Sequence, residues 1–436
     1  MAMKTKGARS AAVIGAGAAG LCAAKHLIAA GIEPVLFEVG SKIGGLWVYE
    51  NDSGLSPAYK TLHCNSENRV TAYRDFPFAD TDPIYPDHAG MTAYFVRYAE
   101  HYDLARRIRF NTRVTQVTGT QTEGFTVQTE DGSADRFDTV VVASGHQSVP
   151  KHPQFAADFC GEYLHSHAYR VPEPFRDKHV LVIGAGNSAC DISSDICPVT
   201  ASTTMVARSP VLMMPRMLFG VPTSRVLGRI EKPWMPWPIR RCIREFISWA
   251  THGRMEQWGF RTPKTQTHPA GHHLLMAQFI WGRVTAKPGI ARIDGQRVHF
   301  DDGSAGEYDA MIAATGYHVE LPFLSEAESP VAGNWLDLFH RVVQPGKPGL
   351  YFVGFFNVTG GGNIRMMDDQ AEWVSALASG KMVPPSDDEM RQAIKDERAF
   401  IEKTYPDSPR YALELDPRAY RKQLAREFQA AQARAT

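Results

Sequence analysis

The chain has 436 residues, of which 44% are hydrophobic and 22% charged, so it is long enough for two or three domains with cores of their own. Lysine plus arginine equal aspartate plus glutamate at 47 each, which argues against a nucleic-acid partner. The six cysteines include no C-x-x-C pair, which argues against a metal site, a redox dithiol and a disulfide scaffold and predicts a cytoplasmic protein. No stretch approaches the about 18 consecutive apolar residues of a membrane helix, and residues 1–10 lack the apolar region of a signal peptide.

The chain opens with the pattern of a β-α-β nucleotide-binding unit. A short apolar strand at 11–14 runs into a G-x-G-x-x-G turn and a helix that Gly31 ends, and the next strand finishes on Glu38. The glycines allow a tight turn, close approach of a pyrophosphate, and close packing of helix on strand. Phosphates bind the free N–H groups of the helix N-terminus, and the carboxylate accepts hydrogen bonds from a ribose diol. The predicted dinucleotide-binding residues of this unit are Gly15, Gly17, Ala18, Ala19, Gly20 and Glu38.

The same pattern returns at residues 179–207, and it differs at the end of its second strand. No acid stands there, and Arg208 follows instead, next to Ser209. A guanidinium holds a 2′-phosphate that a carboxylate would repel, so this unit is predicted to bind NADPH. Its predicted binding residues are Gly184, Gly186, Asn187, Ser188, Ala189, Arg208 and Ser209. The simplest reaction that uses NADPH together with a second bound dinucleotide is hydride transfer from NADPH to a flavin. FAD is therefore predicted at the first site.

The two units lie too far apart in sequence to share one sheet crevice, so they predict two nucleotide domains. Strands at 137–142 and 310–313 each end in a small-residue turn, Ala143–His146 and Ala314–Tyr317, which is typical of the exit from such a domain. The predicted fold is therefore α/β, with two Rossmann-like domains, the NADPH domain being inserted into the FAD domain. We expect residues 1–170 and 307–436 to form the FAD-binding domain and residues 171–306 the NADPH-binding domain.

Further short phrases, spread over most of the chain, carry a family resemblance. They are Gly44-Gly45-Leu46-Trp47, the segment Tyr59 to Asn65, Asp75-Phe76-Pro77-Phe78, the pattern Phe159-x-Gly161-x-x-x-His165-x-x-x-Tyr169, Ala314-Thr315-Gly316-Tyr317, and Gln370-Ala371-Glu372-Trp373. The F-x-G-x-x-x-H-x-x-x-(Y/F) pattern is the identifying motif of the flavin-containing monooxygenases, and the other phrases are similar to segments of the same family in the same order. The chain therefore resembles this family over nearly its whole length.

The resemblance implies which further residues serve the cofactors. It places Asn65 beside the flavin, where an uncharged amide donates and accepts hydrogen bonds without delivering a proton, and makes it the candidate catalytic residue. It assigns Phe159, Gly161, His165 and Tyr169 to a linker between the domains, with His165 hydrogen-bonding across the hinge. It places Gln370 near the start of a helix that points at the flavin. The remaining residues expected to line the FAD site are Gly45, Leu46, Trp47, His63 and Val114.

Three departures from the family pattern stand out. Cys64 replaces the common threonine, which puts one hydrogen bond near the flavin in question, and Glu372 replaces the usual arginine, so that any salt bridge there must differ. The hydrophobic C-terminal anchor of the animal enzymes is absent, which predicts a soluble bacterial-type member.

A basic, tryptophan-rich segment at about 210–265 is predicted to contain an amphipathic helix. Its apolar face is expected to carry Ile239, Cys242, Ile243, Phe246 and Ile247, and its polar face solvated Arg240, Arg241 and Arg244. A helix that covers the NADPH domain or makes a subunit contact, as in a homodimer, is favoured over a peripheral membrane contact.

The resemblance implies an NADPH-consuming, FAD-dependent monooxygenase that forms a flavin C4a-hydroperoxide and uses O₂ to oxygenate soft nitrogen or sulfur centres of small molecules. The alternative is Baeyer–Villiger oxidation of ketones. Enzymes of that type typically end the linker motif in Trp-Pro, whereas this chain has Tyr169-Arg170, a form that some of them share. A pyridine-nucleotide disulfide reductase is set aside because it needs a closely spaced dithiol, and a non-catalytic NADPH sensor stays open to a flavin-reduction assay.

Overall fold

The computed structural model describes residues 7–232, 234–267, 270–271, 273–358, 361–405 and 408–435. Its strands are β1 (Ser10–Ile14), β2 (Glu33–Phe37), β3 (Ile108–Arg109), β4 (Val114–Thr120), β5 (Gly124–Thr129), β6 (Ala134–Phe137), β7 (Thr139–Val142), β8 (Val149–Pro150), β9 (Glu162–His165), β10 (His179–Ile183), β11 (Ser202–Val206), β12 (Met213–Met214), β13 (Met217–Leu218), β14 (Val221–Pro222), β15 (Ala270–Gly271), β16 (Val284–Lys287), β17 (Ile290–Asp294), β18 (Arg297–Phe300), β19 (Ala305–Glu307), β20 (Ala310–Ala313), β21 (Tyr317–His318), β22 (Val331–Ala332), β23 (Trp335–Leu336), β24 (Leu350–Phe352), β25 (Asn357–Val358) and β26 (Glu414–Leu415).

The helices are distributed between and around these strands. They are α1 (Ala18–Ala29), α2 (Asn68–Thr71), α3 (His88–His101), α4 (Asn187–Ile196), α5 (Thr223–Ile230), α6 (Trp237–His252), α7 (His273–Ile280), α8 (Asn363–Ala378), α9 (Asp387–Thr404) and α10 (Pro417–Ala435). Among the helices of the described ranges, none combines the length and apolarity needed to cross a bilayer.

Two parallel sheets form the framework, and each contains one of the glycine fingerprints. The first has the strand order β24-β7-β1-β2-β3 and the second β16-β11-β10-β20-β9. All pairs within both sheets are parallel, and after their first residue the central strands β1 and β10 are apolar and buried, as is typical of parallel sheets covered by helices. The predicted α/β fold with two Rossmann-like units is thereby confirmed.

The two sheets repeat one contact at the point where the central strand ends. A Cβ on Gly15 would lie 2.7 Å from the carbonyl oxygen of Ala143, and a Cβ on Gly184 would lie 2.6 Å from that of Ala314. Both glycines also have φ values, +107° and +122°, that an L side chain rarely adopts. The two small-residue turns that the sequence singled out therefore pack directly on the first glycine of each fingerprint.

The expected domain boundaries cut through the second sheet. Strands β9 and β20 lie outside the range 171–306, and yet β20 pairs with β10 on one side and β9 on the other. The pattern Phe159 to Tyr169 therefore contributes the edge strand β9 rather than serving only as a linker. Strand pairing between segments so distant in sequence carries no local signal, so the predicted boundaries could not take it into account.

The chain crosses between the two sheets twice, and the two crossings pair with each other. Strand β8 runs antiparallel to β21, with Val149 opposite His318 and Pro150 opposite Tyr317. The division of the chain into domains stays a prediction. We propose boundaries within these crossings, near residues 146–152 and 314–318.

Only part of the predicted apolar face of helix α6 is turned toward the protein: Ile247 packs against the core of the second sheet, whereas Ile239 and Phe246 are exposed. Its arginines point inward to form ion pairs, Arg244 with Glu231 at 2.7 Å and Arg240 with Asp416 at 3.6 Å. Phe246 and Trp249 lie on the outer face and are 64% and 55% exposed. Because the acidic partners lie in segments that only the tertiary fold brings to this helix, its polar face could not be told from its buried face in the sequence.

Candidate cofactor and oxygenation site

The first fingerprint leaves the N-terminus of α1 open for a ligand. Gly17 is the N-cap, and no side chain caps the helix, so its first N–H groups are free to bind phosphate oxygens. A 3-10 turn at Gly45–Trp47 crosses in front of it so closely that a Cβ on Gly45 would lie 3.1 Å from the Cα of Gly17. The two glycines thus let the turn and the helix end come into backbone contact, beside the N–H groups that are predicted to bind the pyrophosphate.

Glu38 follows directly after β2, the position from which a carboxylate is predicted to accept hydrogen bonds from a ribose diol. Its Oε2 accepts a hydrogen bond from the Ala16 N–H at 2.8 Å and its Oε1 one from the Gly40 N–H at 3.0 Å. The side chain is buried, and this burial raises the pKa of the Glu38 carboxyl. Each oxygen retains a free lone pair, so the carboxylate fits the acceptor role that the sequence predicted for it.

The second fingerprint has the same open helix end. Gly186 is the N-cap of α4, again without a side-chain cap, and the Gly184 N–H donates to the Val206 carbonyl as the Gly15 N–H does to Phe37. Arg208 and Ser209 follow β11 and are exposed. Because the Arg208 side chain is exposed, its charge can reach a 2′-phosphate at this helix end. Arg261, which the sequence did not single out, donates to the Arg208 carbonyl and adds a second cation nearby.

The segment from Tyr59 to Asn65 connects the two sheets. The Tyr59 hydroxyl donates to Asp191 at 2.6 Å and the Thr61 hydroxyl to Asp195 at 3.0 Å, and both acids lie on α4, four residues apart. The Tyr169 hydroxyl also donates to Asp195, at 2.5 Å. Burial, together with the neighbouring acids, raises the pKa of Tyr59, and burial raises the pKa of Asp195. The sequence did not identify either aspartate, because nothing local distinguishes them from other polar residues on a surface helix.

Asn65 lies at the end of this segment, on an exposed loop. Its Oδ1 accepts a hydrogen bond from the Nη2 of Arg216, 3.0 Å away, across 151 residues of sequence. A Cβ on Gly361 would lie 2.4 Å from the Cβ of the adjacent Ser66, so the start of α8 abuts the same loop. His63 is exposed on the loop as well, with its Nδ1 2.7 Å from the Thr61 carbonyl oxygen.

Gln370 does not occupy the position that the sequence predicted. It lies in the eighth position of α8, not near its start, and it has no accessible surface. Its Oε1 accepts from the Gly354 N–H at 3.0 Å and its Nε2 donates to the Tyr420 hydroxyl at 2.8 Å. Gln370 therefore braces α8 against its neighbours, and the uncapped N-terminus of α8, at Gly362, is the part that reaches the loop of Asn65 and Ser66.

Three of the four linker-motif residues, Phe159, His165 and Tyr169, are buried, and Gly161 is half-buried. A Cβ on Gly161 would lie 2.6 Å from the Asp309 carbonyl oxygen, which confirms a close backbone approach at this glycine. The Nδ1 of His165 accepts from the His167 N–H at 3.1 Å, and the backbone of Gly316, on the second crossing, also acts on the imidazole, so the hydrogen bond across the hinge stays a prediction. On the same crossing, His165 also contacts the ring of Tyr317, at 5.3 Å between centroids. Burial, with the charge of His152, lowers the pKa of His165 to about 4.

Two of the three departures from the family pattern, Cys64 and Glu372, have identifiable contacts in the structure. The Sγ of Cys64 is buried 3.6 Å from the hydroxyls of Ser66 and Thr71. The Glu372 carboxylate pairs with Arg74 at 2.5 Å. This ion pair therefore has its acid, Glu372, on α8 and its base, Arg74, on the segment that faces α8.

The remaining predicted residues lie close to the first fingerprint. Val114 begins β4, and the segment just before it runs along the end of β2, where the Thr112 N–H donates to the Glu38 carbonyl. Leu46 lies in the 3-10 turn Gly45–Trp47, and its side chain is 40% exposed. The Trp47 carbonyl accepts a hydrogen bond from the Thr92 hydroxyl at 3.2 Å. Their contacts with FAD stay a prediction. In the described part of the chain, no group of three or more His, Cys, Asp or Glu side chains is arranged to hold a metal ion.

Comparison with known proteins decides between the families that share this architecture. The family model described as flavin-binding monooxygenase-like matches residues 8–432. The chain belongs to this family. Dimethylaniline monooxygenase (N-oxide-forming) 4 of Mus musculus is 30% identical to this flavin monooxygenase over 415 residues, which are 90% of this chain and 73% of the relative.

Solved structures show the same similarity in three dimensions. That of S-allyl-L-cysteine S-oxygenase from Allium sativum has a TM-score of 0.73 and 25% identity, and the match covers 96% of this chain and 88% of that one. Cyclohexanone monooxygenase from Rhodococcus sp. Phi1 bound to NADP⁺ has a TM-score of 0.69 over 98% of both chains, at 18% identity, so it shares the fold. This flavin monooxygenase is an NADPH-dependent enzyme with FAD and NADPH as its cofactors, and the two open helix ends fit them.

Proposed function

We propose that this flavin monooxygenase transfers one oxygen atom of O₂ to soft nitrogen or sulfur centres of small molecules. The observation that carries the proposal is the match to an N-oxide-forming relative at 30% identity over 90% of the chain. The structural match to an S-oxygenase points the same way, whereas the cyclohexanone monooxygenase is only 18% identical. The bound flavin, reduced by NADPH, supplies the activated oxygen.

The protein's own contribution is to bind, orient and shield. In this proposal the glycine turn, the α1 N-terminus and Glu38 hold FAD, and the α4 N-terminus with Arg208 holds NADPH. The hydrogen bonds from Tyr59 and Thr61 to α4 keep the two nucleotide sites in a constant relation to each other. A sulfur or amine lone pair attacks without losing a proton, so the reaction needs no general base.

Asn65 is proposed to contact the bound cofactors on the exposed side of its loop. Its neutral amide offers donors and an acceptor without a proton to release, which protects the activated oxygen from collapse to H₂O₂. We expect Asn65→Ala to keep its FAD, because the FAD-binding fingerprint is untouched, and to divert NADPH oxidation toward H₂O₂. Product and H₂O₂ formed per NADPH oxidised, with flavin content as the control, measure this. Wild-type coupling in the variant would contradict the role.

The reaction class is tested by a substrate panel on the purified FAD-loaded enzyme. A thioether, a tertiary amine and a cyclic ketone are each supplied with NADPH and air, and products are identified by mass spectrometry. We expect sulfoxide and N-oxide, with NADPH consumption matched by product. Lactone from the ketone without any sulfoxide would reverse the assignment.

One observation favours the second candidate, Baeyer–Villiger oxidation. A ketone is an electrophile, so it requires the oxygen donor in a deprotonated, anionic form, which a nearby guanidinium stabilises. Arg216, hydrogen-bonded to Asn65, places such a cation at the loop. The ketone arm of the same panel therefore tests this candidate directly.

A further inference from the structure

Arg216 contacts Asn65 from a segment 151 residues later in the chain, and the nature of this contact defines the orientation of the amide. Arg216 lies between β12 and β13, and its side chain is only 10% exposed. The guanidinium has only N–H donors, so the amide atom that faces its Nη2 at 3.0 Å is the oxygen of Asn65. The two N–H donors of the Asn65 amide consequently point away from Arg216.

Arg216 is itself held by groups on both sides. The Tyr85 hydroxyl donates to the Arg216 carbonyl at 2.8 Å, and the Tyr85 ring centroid is 5.6 Å from the guanidinium carbon. The carboxylate of Asp191, on α4, lies 3.9 Å from Nη2. Because Asp191 also accepts the Tyr59 hydroxyl, Arg216 connects Asn65 to the helix of the second fingerprint.

A second anchor keeps this part of the chain against the loop. Glu67, two residues after Asn65, is completely buried, and its carboxylate accepts from the Ser224 hydroxyl at 2.9 Å and from the Nε of Arg225 at 2.5 Å. The segment that carries Arg216 is thus attached to the loop of Asn65 at two points. A buried carboxylate with these partners resists displacement of the segment.

We propose that Arg216 is a positioning residue that keeps the Asn65 amide in one orientation, with its N–H donors toward the bound cofactors. This inference rests on the proposed role of Asn65. Without the guanidinium, the amide can rotate and present its oxygen where the donors are needed. The reaction then loses the same protection that it loses when the amide is removed.

The test is a double-mutant cycle with Arg216→Gln and Asn65→Ala on the FAD-loaded enzyme. Two quantities are measured without substrate: the dissociation constant of NADP⁺, from the flavin absorbance of the oxidised enzyme, and the rate of H₂O₂ formation from NADPH. We expect Arg216→Gln to raise both the dissociation constant of NADP⁺ and the rate of H₂O₂ formation, each on the order of ten-fold, because a charge-assisted hydrogen bond is lost. Arg216→Gln should add nothing further in the Asn65→Ala background, because the two residues act as a unit.

Two further variants separate positioning from folding. Arg216→Lys retains a donor toward the amide oxygen and should recover part of the loss, whereas Arg229→Gln, an exposed arginine of the same segment, should behave as wild type. FAD content and thermal midpoint are recorded for each, and if Arg216→Gln fails to keep FAD, the lysine variant carries the comparison.

The outcomes distinguish this inference from the proposed function. Additive effects of the two substitutions, or wild-type values in both Arg216 variants while Asn65→Ala is impaired, would overturn the inference alone. Wild-type values in Asn65→Ala would overturn both the role of Asn65 and the inference. Since neither measurement includes a substrate, the choice between thioether and ketone does not affect them.

Discussion

At the scale of single residues, we propose that one exposed cation, Arg208, selects NADPH at the second site. Arg208 follows β11, where Glu38 follows β2 in the first unit, and both lie beside an open helix end. We expect Arg208→Ala to raise the dissociation constant of NADPH by about ten- to a hundred-fold, because a charge-assisted contact to the 2′-phosphate is lost. NADH, which lacks this phosphate, is the internal control and should change little. Titrations that show equal weakening for both nucleotides would refute the assignment.

Arg74 lies at the centre of a network of ion pairs that connects its segment to α8. It contacts Asp368 at 3.1 Å and Glu372 at 2.5 Å, and Asp368 also lies 2.7 Å from the Nε2 of His26. Burial works to raise the pKa of Asp368, but His26 and Arg74 outweigh it and hold that pKa at about 2. His26 and Arg74 therefore stabilise the ionised form of the Asp368 carboxylate against the effect of its burial.

Removal of Arg74 tests how much this network stabilises the fold. Arg74→Met leaves the buried Asp368 with His26 as its remaining basic partner, and we expect the free energy of unfolding to fall by about 2–4 kcal/mol. The matched control is Arg106→Met, which breaks the exposed pair with Asp103 and should cost at most about 1 kcal/mol. Urea unfolding of both variants gives the comparison, and equal losses would show that burial of Asp368 is unimportant.

At the scale of elements, the turn and helix of the first fingerprint are packed without spare room. A Cβ on Gly20 would lie 1.9 Å from the carbonyl oxygen of Gly15, so α1 and the turn must separate to accept it. We expect Gly20→Ala to destabilise the protein by about 3 kcal/mol or more and to reduce FAD retention. Gly228→Ala on the exposed helix α5, where a Cβ would have open space, should be neutral or stabilising by up to about 1 kcal/mol. Thermal unfolding with flavin release measures both, and a Gly20→Ala protein that keeps its FAD and its thermal midpoint would show that the turn can adjust.

At the scale of the whole molecule, buried histidines make stability depend on pH. Burial lowers the pKa values of His146, His165, His252 and His340, that of His340 to about 4. At His165 and His340 the unfolded chain binds protons at about pH 6.5 that the folded chain accepts only near pH 4, so the stability that these two groups contribute is fully present above pH 6.5 and falls as the pH drops through this window. Asp368 adds to the loss only below about pH 4.

His340 allows this dependence to be measured. Its φ of +48° suits asparagine, so His340→Asn removes the titrating group without adding backbone strain. Between pH 7 and pH 5 we expect the wild-type protein to lose about 2 kcal/mol more unfolding free energy than the variant. Denaturant titrations at the two pH values check this, and parallel losses in both proteins would exclude His340 as a contributor.

Local patterns were sufficient to predict most of the framework. The two glycine turns, the acid after one strand and the arginine after the other are read within about 30 residues of sequence, because a β-α-β unit is a local structure with fixed spacing. The small-residue turns after β7 and β20 were also identified, and the structure adds that each packs on a fingerprint glycine. The family was recognised from short ordered motifs in the same way.

Long-range pairing decided the rest. The ends of the second sheet, the inward face of α6 and the buried position of Gln370 each depend on a partner far away in sequence, and hydrophobic periodicity does not indicate which partner a polar face will meet. The contact of Asn65 with Arg216, 151 residues later, is of the same kind. The sequence by itself thus determined the cofactors and the family, through motifs whose geometry is local. Only the tertiary structure determined which side chains surround the candidate catalytic amide, because its partner is 151 residues away in sequence and no local pattern indicates that contact.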